Sequence, residues 1–158
     1  MAPVFAARMP VLKHWNTPID FGASIKGERI FGDNKTWRGL FSGTVAGSAV
    51  GVLQFISGFG LIEALPQAAL VGAALGFGAL LGDAVKSFFK RRQSIPPGKS
   101  WIPLDQTDYI VGGLLLAYPL AANVLSLELA VIIAVTYTVL HFLFSYLGYL
   151  LGLKSQPI

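Results

Sequence analysis

Three aspartates, two lysines and a serine give this chain its clearest opportunity for chemistry. Asp83, Lys86, Ser87 and Lys90 stand at i, i+3, i+4 and i+7, so a continuing helix would place them all on one face. Asp105 and Asp108 follow, three residues apart, at the entrance of the next apolar stretch. Acids in a first helical turn are also favoured there by the helix dipole. Carboxylates without cysteine or a histidine cluster suit a hard cation, and Mg2+ usually takes one or two carboxylates together with substrate phosphates. The neighbouring Lys90, Arg91 and Arg92 suit phosphate oxygens. Each residue alone has a plainer reading: Asp83 paired with Lys86 or Lys90, Asp105 as a helix cap, and the basic run as a topology signal. As a set they point to a metal and phosphate site, because acids at a membrane boundary carry a solvation cost and tend to mark functional cavities.

A second charged segment reads DFGASIKGERIFGDNKTWRG from Asp20 to Gly39. Its glycines mark turns rather than a regular helix. Asn34, Lys35, Thr36 and Arg38 supply donors where the next helix begins, and backbone amides at a helix start beside a lysine make an anion site. Turn formation and topology explain the same residues equally well. The spacing GxxxxGK[ST] of a Walker loop is absent, as are the GxSxG elbow and a Ser-His-Asp order. His14 and His141 form no pair by spacing and suit interfacial or core positions.

The surroundings of these residues are those of a membrane protein. The chain is 54% apolar and 13% charged, far from the soluble average of about 45–50% and about 25%. Absence of cysteine excludes disulfides, thiolate ligands and a cysteine nucleophile. The net charge of +4 reports topology and anionic headgroups before nucleic acid, and no nucleic-acid partner is expected. Stretches of roughly 17–25 apolar residues can cross a bilayer. Trp37 to Phe59, Ala64 to Gly82, Tyr109 to Val124 and Leu127 to Leu153 qualify, the third by extending backward if Gln106 and Thr107 face the interior. Lys13 to Arg38 and Asp83 to Asp108 each hold five basic residues and share six of the eight acids, whereas Ser57 to Pro66 and Asn123 to Leu127 hold no lysine or arginine. The positive-inside rule therefore predicts cytoplasmic segments at about 13–36 and 83–106. Met1 to Leu12 reads as a short or incomplete first helix. The expectation is one all-α domain over 1–158, a polytopic integral membrane bundle of about five helices with the amino terminus outside and a charged cavity on the cytoplasmic side. Glycines at 43, 47 and 51, and at 72, 76, 78 and 82, predict close helix packing.

GDAVKSFFKRR followed by PG and then PLDQTD resembles the signature of the membrane CTP-transferases called CDP-diacylglycerol synthases. Together with the earlier DFG and GERIFGDNKTWRG, it is more similar to the archaeal CDP-archaeol synthases. The resemblance runs from Asp20 to Asp108, with the last two helices alike only in character, and two separate motifs agree in order. Relatives in bacteria and eukaryotes usually carry further amino-terminal helices, which this chain has at most in part.

The resemblance implies a Mg2+-dependent transfer from CTP to an isoprenoid glycerol-phosphate lipid, 2,3-di-O-geranylgeranylglyceryl phosphate, giving CDP-archaeol and pyrophosphate at the bilayer surface. It implies metal binding by Asp83, Asp105 and Asp108, and phosphate contacts by Lys86, Lys90, Arg91 and Arg92. Asn34, Lys35 and Thr36 would complete the nucleotide pocket, with Arg38 and Ser87 as further substrate contacts. A diacyl phosphate acceptor is the alternative within the chemistry. A non-enzymatic transporter or lipid-binding protein is the alternative outside it, although an ion path would need groups along the membrane depth and the last two helices offer only Glu128 and His141 after Asp108. A CDP-alcohol phosphotransferase would need wider aspartate spacing with an alanine-arginine pair, and that pattern is missing.

Overall fold

Four helices account for most of the residues that the computed structural model describes, which are 15–96, 99 and 101–152. They are α1 (Trp37–Ile56), α2 (Leu65–Arg92), α3 (Leu104–Ala121) and α4 (Leu127–Leu150). Ahead of them lies a hairpin of two-residue strands, β1 (Ser24–Ile25) and β2 (Glu28–Arg29), with Ser24 opposite Arg29 and Ile25 opposite Glu28. The short first helix expected over 1–12 lies outside the described residues.

The hairpin departs from the sequence expectation of turns alone. Lys26 and Gly27 both take positive φ, 55° and 81°, as a two-residue turn between twisted antiparallel strands requires. The helix boundaries also differ from the apolar stretches. α2 runs past Gly82, where hydropathy falls, through the charged turns to Arg92, as a continuing helix with Asp83, Lys86, Ser87 and Lys90 on one face requires. Its 28 residues span about 42 Å, more than the roughly 30 Å of hydrocarbon an upright helix crosses, and the surplus turns carry Asp83 to Arg92. α3 begins at Leu104 rather than Tyr109 and ends at Ala121, two residues past Pro119. α1 stops three residues early, where Ser57 and then Gly58 at φ 70° turn the chain.

Among the described residues, α1, α2 and α4 are long and apolar enough to cross a membrane. α3 falls short because Asp105, Gln106, Thr107 and Asp108 occupy its first turns. Gln106 does face the interior and is buried. The large apolar side chains lie mostly outside: Phe41, Val45 and Leu53 on α1, and Ile132, Val135 and Phe144 on α4 are exposed. The buried apolar residues are few and small, Ala68, Ala84, Ala117 and Ala121 among them. Lipid tails solvate aliphatic side chains as well as a core does, so contact between helices comes from small residues instead.

Glycine sets those contacts. A Cβ at Gly47 would lie 2.2 Å from the carbonyl oxygen of Gly72, and α1 meets α2 backbone to backbone along Gly43, Gly47 and Gly51. α2 meets α3 in the same manner, since a Cβ at Gly82 would lie 2.2 Å from the carbonyl oxygen of Asp108. Successive helices are antiparallel, so the α1–α2 and α3–α4 connections share one end, where Ile62, Val124 and Leu125 pack around Val71, Ala117 and Ala121. The other end carries the hairpin segment and the carboxy-terminal turns of α2. Gly47→Ala should cost about 1–3 kcal/mol through overpacking. A thermal melt in detergent should show it as a lowered midpoint, with the exposed Leu53→Ala nearly unchanged.

Candidate active site

The hairpin segment is organised by one buried carboxylate. Asp20, whose side chain is fully buried, accepts from Gly22 N at 3.1 Å and Arg29 Nη2 at 2.6 Å through Oδ1. Its Oδ2 accepts from the backbone amides of Phe31 and Gly32 at 3.0 and 3.3 Å. Burial alone would push this carboxyl up, but the guanidinium and the three amides hold it down at about 2. Arg29 also pairs with Asp33. The segment closes on itself where Ile19 N donates to Lys35 O at 2.8 Å and Trp37 N donates to Thr17 O at 3.1 Å. Lys35 is thereby delivered to the start of α1, and its ammonium pairs with Asp83 on α2.

From Asp83 the ion pairs continue into α3. Lys86 Nζ lies 2.9 Å from Asp83 Oδ1, 3.0 Å from Asp105 Oδ1 and 2.8 Å from Asp108 Oδ2. Lys90 Nζ lies 3.1 Å from Asp105 Oδ2 and also donates to the backbone oxygen of Lys99. Asp105 Oδ2 further accepts from Trp101 N at 2.7 Å. Three carboxylates and three ammonium groups thus alternate through one cluster. The close Gly82–Asp108 approach makes this convergence available, because Lys86, one turn after Gly82, then meets Asp105, one turn before Asp108 on the antiparallel α3.

Cavities open on three sides of the cluster. A polar cleft of about 480 Å³ is lined by Asn34, Lys35, Thr36, Arg38 and Asp83. A second, of about 550 Å³, is lined by Arg29, Lys35, Asp83, Lys86, Ser87, Lys90 and Arg91. An apolar groove of about 660 Å³ runs between α2 and α3 past Val85, Phe89, Trp101, Leu104, Val111 and Leu115, and reaches Lys86 and Asp108. Lys86 borders both the second cleft and the groove.

The residues singled out from sequence are disposed unequally. Asp83, Lys86, Ser87 and Lys90 do share one face of α2, with Ser87 and Lys90 buried. Ser87 Oγ donates to Asp83 O at 2.8 Å, and the Thr36 hydroxyl accepts from Gly39 N at 3.2 Å as the cap of α1, so both hydroxyls serve the backbone while bordering a cleft. Arg91 lines the second cleft. Arg92 turns toward the hairpin, where its Nη1 donates to Ile25 O at 3.3 Å and its guanidinium lies 4.8 Å above the Phe88 ring. Sequence reasoning gave no role to Asp20 or Arg29. The available signal was an aspartate two residues before a glycine in a turn-rich stretch, which favours bonding to its own following backbone.

The donor set suits a hard cation. Among the described residues no three acids or histidines stand preassembled for ligation, because the aspartates face a point held by Lys86 Nζ. Their chemistry is oxygen only, and the buried Asp108 Oδ2 is out of line for a hydrogen bond despite its 2.8 Å ion contact. Two carboxylates completed by phosphate oxygens fit Mg2+.

A helical membrane protein whose charged cluster opens to polar clefts on one side and an apolar groove on the other has the architecture of an enzyme joining a water-soluble reactant to a lipid. Comparison with known proteins makes the class specific. A family model described as CarS-like, CDP-archaeol synthase, matches residues 1–158. The CDP-archaeol synthase of Thermococcus onnurineus is 42% identical over 154 residues, 97% of this chain and 89% of that protein. Those of Pyrococcus abyssi and Methanospirillum hungatei are 40% and 42% identical, over 97% and 89% of this chain and 90% and 89% of theirs. A solved structure described as an intramembrane enzyme for archaeal membrane lipids biosynthesis is 34% identical, covers 89% of this chain and 85% of its own, and superposes with a TM-score of 0.67. The chain belongs to the CDP-archaeol synthase family.

The depressed Asp20 carboxyl sets a pH dependence. Its stabilisation of the hairpin segment should be fully present above the ordinary value of 3.8 and be lost as pH falls through about 2. Hydrogen exchange of residues 19–36 should rise over that interval relative to α1. Asp20→Asn should make the same segment exchange fast at neutral pH.

Proposed function

We propose that the chain transfers the cytidylyl group of CTP to 2,3-di-O-geranylgeranylglyceryl phosphate, producing CDP-archaeol and pyrophosphate. The observation that carries this reading is the position of Lys86 and Asp108 where an apolar groove meets the ion-paired cluster. A lipid phosphate whose chains lie in that groove has its headgroup at the cluster. The triphosphate belongs in the polar clefts, against Lys35, Lys90 and Arg91. The basic residues of both charged segments support a cytoplasmic orientation for this end of the bundle, where CTP is available.

The chemistry asks for little proton transfer. A phosphate monoester with a second pKa of about 6 is largely dianionic at neutral pH. One of its oxygens attacks the α-phosphorus of CTP, a new P–O bond forms, the bond to the β-phosphate bridge breaks, and pyrophosphate leaves with its electron pair. Asp83, Asp105 and Asp108 would hold Mg2+, which supplies charge neutralisation to the triphosphate when bound. Lys86 and Lys90 bring two anionic reactants together that would otherwise repel, and Lys35 with Asn34 and Thr36 fixes the nucleotide from the opposite wall. Closing the cluster between two walls keeps these charges in a poorly screened environment, where they act more strongly than in water.

Purified protein in detergent or nanodiscs, supplied with CTP, Mg2+ and the isoprenoid ether phosphate, should release pyrophosphate. Absence of release from folded protein would remove the transferase reading, and preference for phosphatidic acid would move the assignment to a diacyl acceptor. Asp105→Asn should lower turnover by about 100-fold or more while the protein stays folded, as expected for a group that acts on developing charge. Retained turnover would show that this carboxylate is dispensable.

A further inference from the structure

Lys86 has an environment more like that of a bound cation than of a surface lysine. Its ammonium carries three N–H donors and no acceptor, and it is met by three carboxylate oxygens at 2.8–3.0 Å, one from its own helix and two from α3. Its side chain is mostly buried. Asp83 is held additionally by Lys35, and Asp105 by Lys90 and the Trp101 amide. Asp108 has Lys86 as its one ion-pair partner among the described residues. Removal of this ammonium would leave three carboxylates facing one another across a poorly screened space.

Charge balance then constrains what can enter. Asp83, Asp105 and Asp108 are matched by Lys35, Lys86 and Lys90, so the cluster is neutral as it stands. A divalent cation added alone would bring an excess of two positive charges and collide with the Lys86 ammonium. A cation arriving with a triphosphate brings its own compensation. Lys86 also has somewhere to go: its side chain borders the polar cleft that holds Arg91 and the apolar groove that reaches Asp108, and a lysine stem is flexible enough to swing between them.

We propose that Lys86 is a tethered stand-in for the metal. It holds the three aspartates around its own ammonium before the metal arrives, and it yields its place only when phosphate oxygens are present to receive it. The cation and the phosphate ligand therefore bind together rather than in sequence. This rests on the metal reading given above and concerns the order of loading, not the reaction itself.

The test measures Mn2+ binding by electron paramagnetic resonance on the full chain in detergent, without nucleotide and then with CTP. Without nucleotide, Lys86→Met should bind Mn2+ about tenfold or more tightly than the unsubstituted protein, since an ammonium about 3 Å from each ligand opposes the metal strongly. Lys26→Met, which removes the same charge from the hairpin turn, should change affinity by less than about twofold at physiological ionic strength. Equal or weaker binding by Lys86→Met would overturn the proposal. Lys86→Gln, which keeps the length and a hydrogen-bond donor, gives the same comparison if the methionine variant folds poorly. A melt with and without Mn2+ adds a second readout: both variants should gain more in midpoint from the ion than the unsubstituted protein does, and no greater gain would also overturn it. Failure of the unsubstituted protein to hold Mn2+ beyond the free Mn2+–CTP complex even with CTP present would instead sink the metal reading, and this proposal with it.

Discussion

Three carboxylates and three ammonium groups at the edge of a hydrocarbon layer are tolerable only together. Each alone would face a desolvation cost of several kcal/mol. Alternated through Lys35, Asp83, Lys86, Asp105, Asp108 and Lys90, they form a neutral and largely hydrogen-bonded unit. The rest of the fold can be understood as what brings these six side chains to one place. α2 carries its share beyond the apolar layer by being about 12 Å longer than that layer needs. The hairpin segment, locked around Asp20, carries Lys35 to the other side. α3 presents its two aspartates in its first and second turns, and so falls short of the apolar character that crossing a membrane needs.

The packing that allows this is made of backbone. Gly82 lies against Asp108 and Gly78 against Gly112, so α2 and α3 approach more closely than larger side chains would permit. The α1–α2 seam uses Gly43, Gly47 and Gly51 in the same way. A lipid solvent leaves aliphatic residues free to face outward, so among the described residues the few buried apolar ones are mostly alanines, with Val71 and Ile110, rather than a core of large side chains. α4 contacts α3 alone among the described helices. It is linked near the site by the hydrogen bond between Tyr109 Oη and His141 Nδ1 at 3.2 Å.

Much of the site was legible because helical periodicity is a local property. The spacing of Asp83, Lys86, Ser87 and Lys90 placed them on one face whatever their surroundings, and Asp105 and Asp108 likewise. Their meeting at Lys86 was not legible, since it depends on the register in which α2 slides against α3, and only the paired glycines fix that register. Hydropathy follows where lipid stops rather than where a helix ends, and it was the face shared by Asp83, Lys86, Ser87 and Lys90 that carried α2 on toward Arg92. Arg92 was grouped with Arg91 as adjacent members of one basic run, yet neighbours on a helix point about 100° apart, and it is the hairpin that receives Arg92. The Asp20 hub was hidden because its bonds to Arg29, Phe31 and Gly32 reach 9 to 12 positions along irregular backbone, and the hairpin because strands of two residues are too short to show an alternation.

The central claim is that nucleotide, metal and lipid phosphate meet at the Asp83–Lys86–Asp108 junction. Diffraction from crystals grown with CTP and Mn2+ tests this most directly, through the anomalous signal of the metal. The account requires a peak within about 2–2.5 Å of carboxylate oxygens from at least two of Asp83, Asp105 and Asp108, with the triphosphate between that peak and Lys35. A metal and nucleotide located away from these aspartates, or a triphosphate lying on the far side of α1, would contradict it.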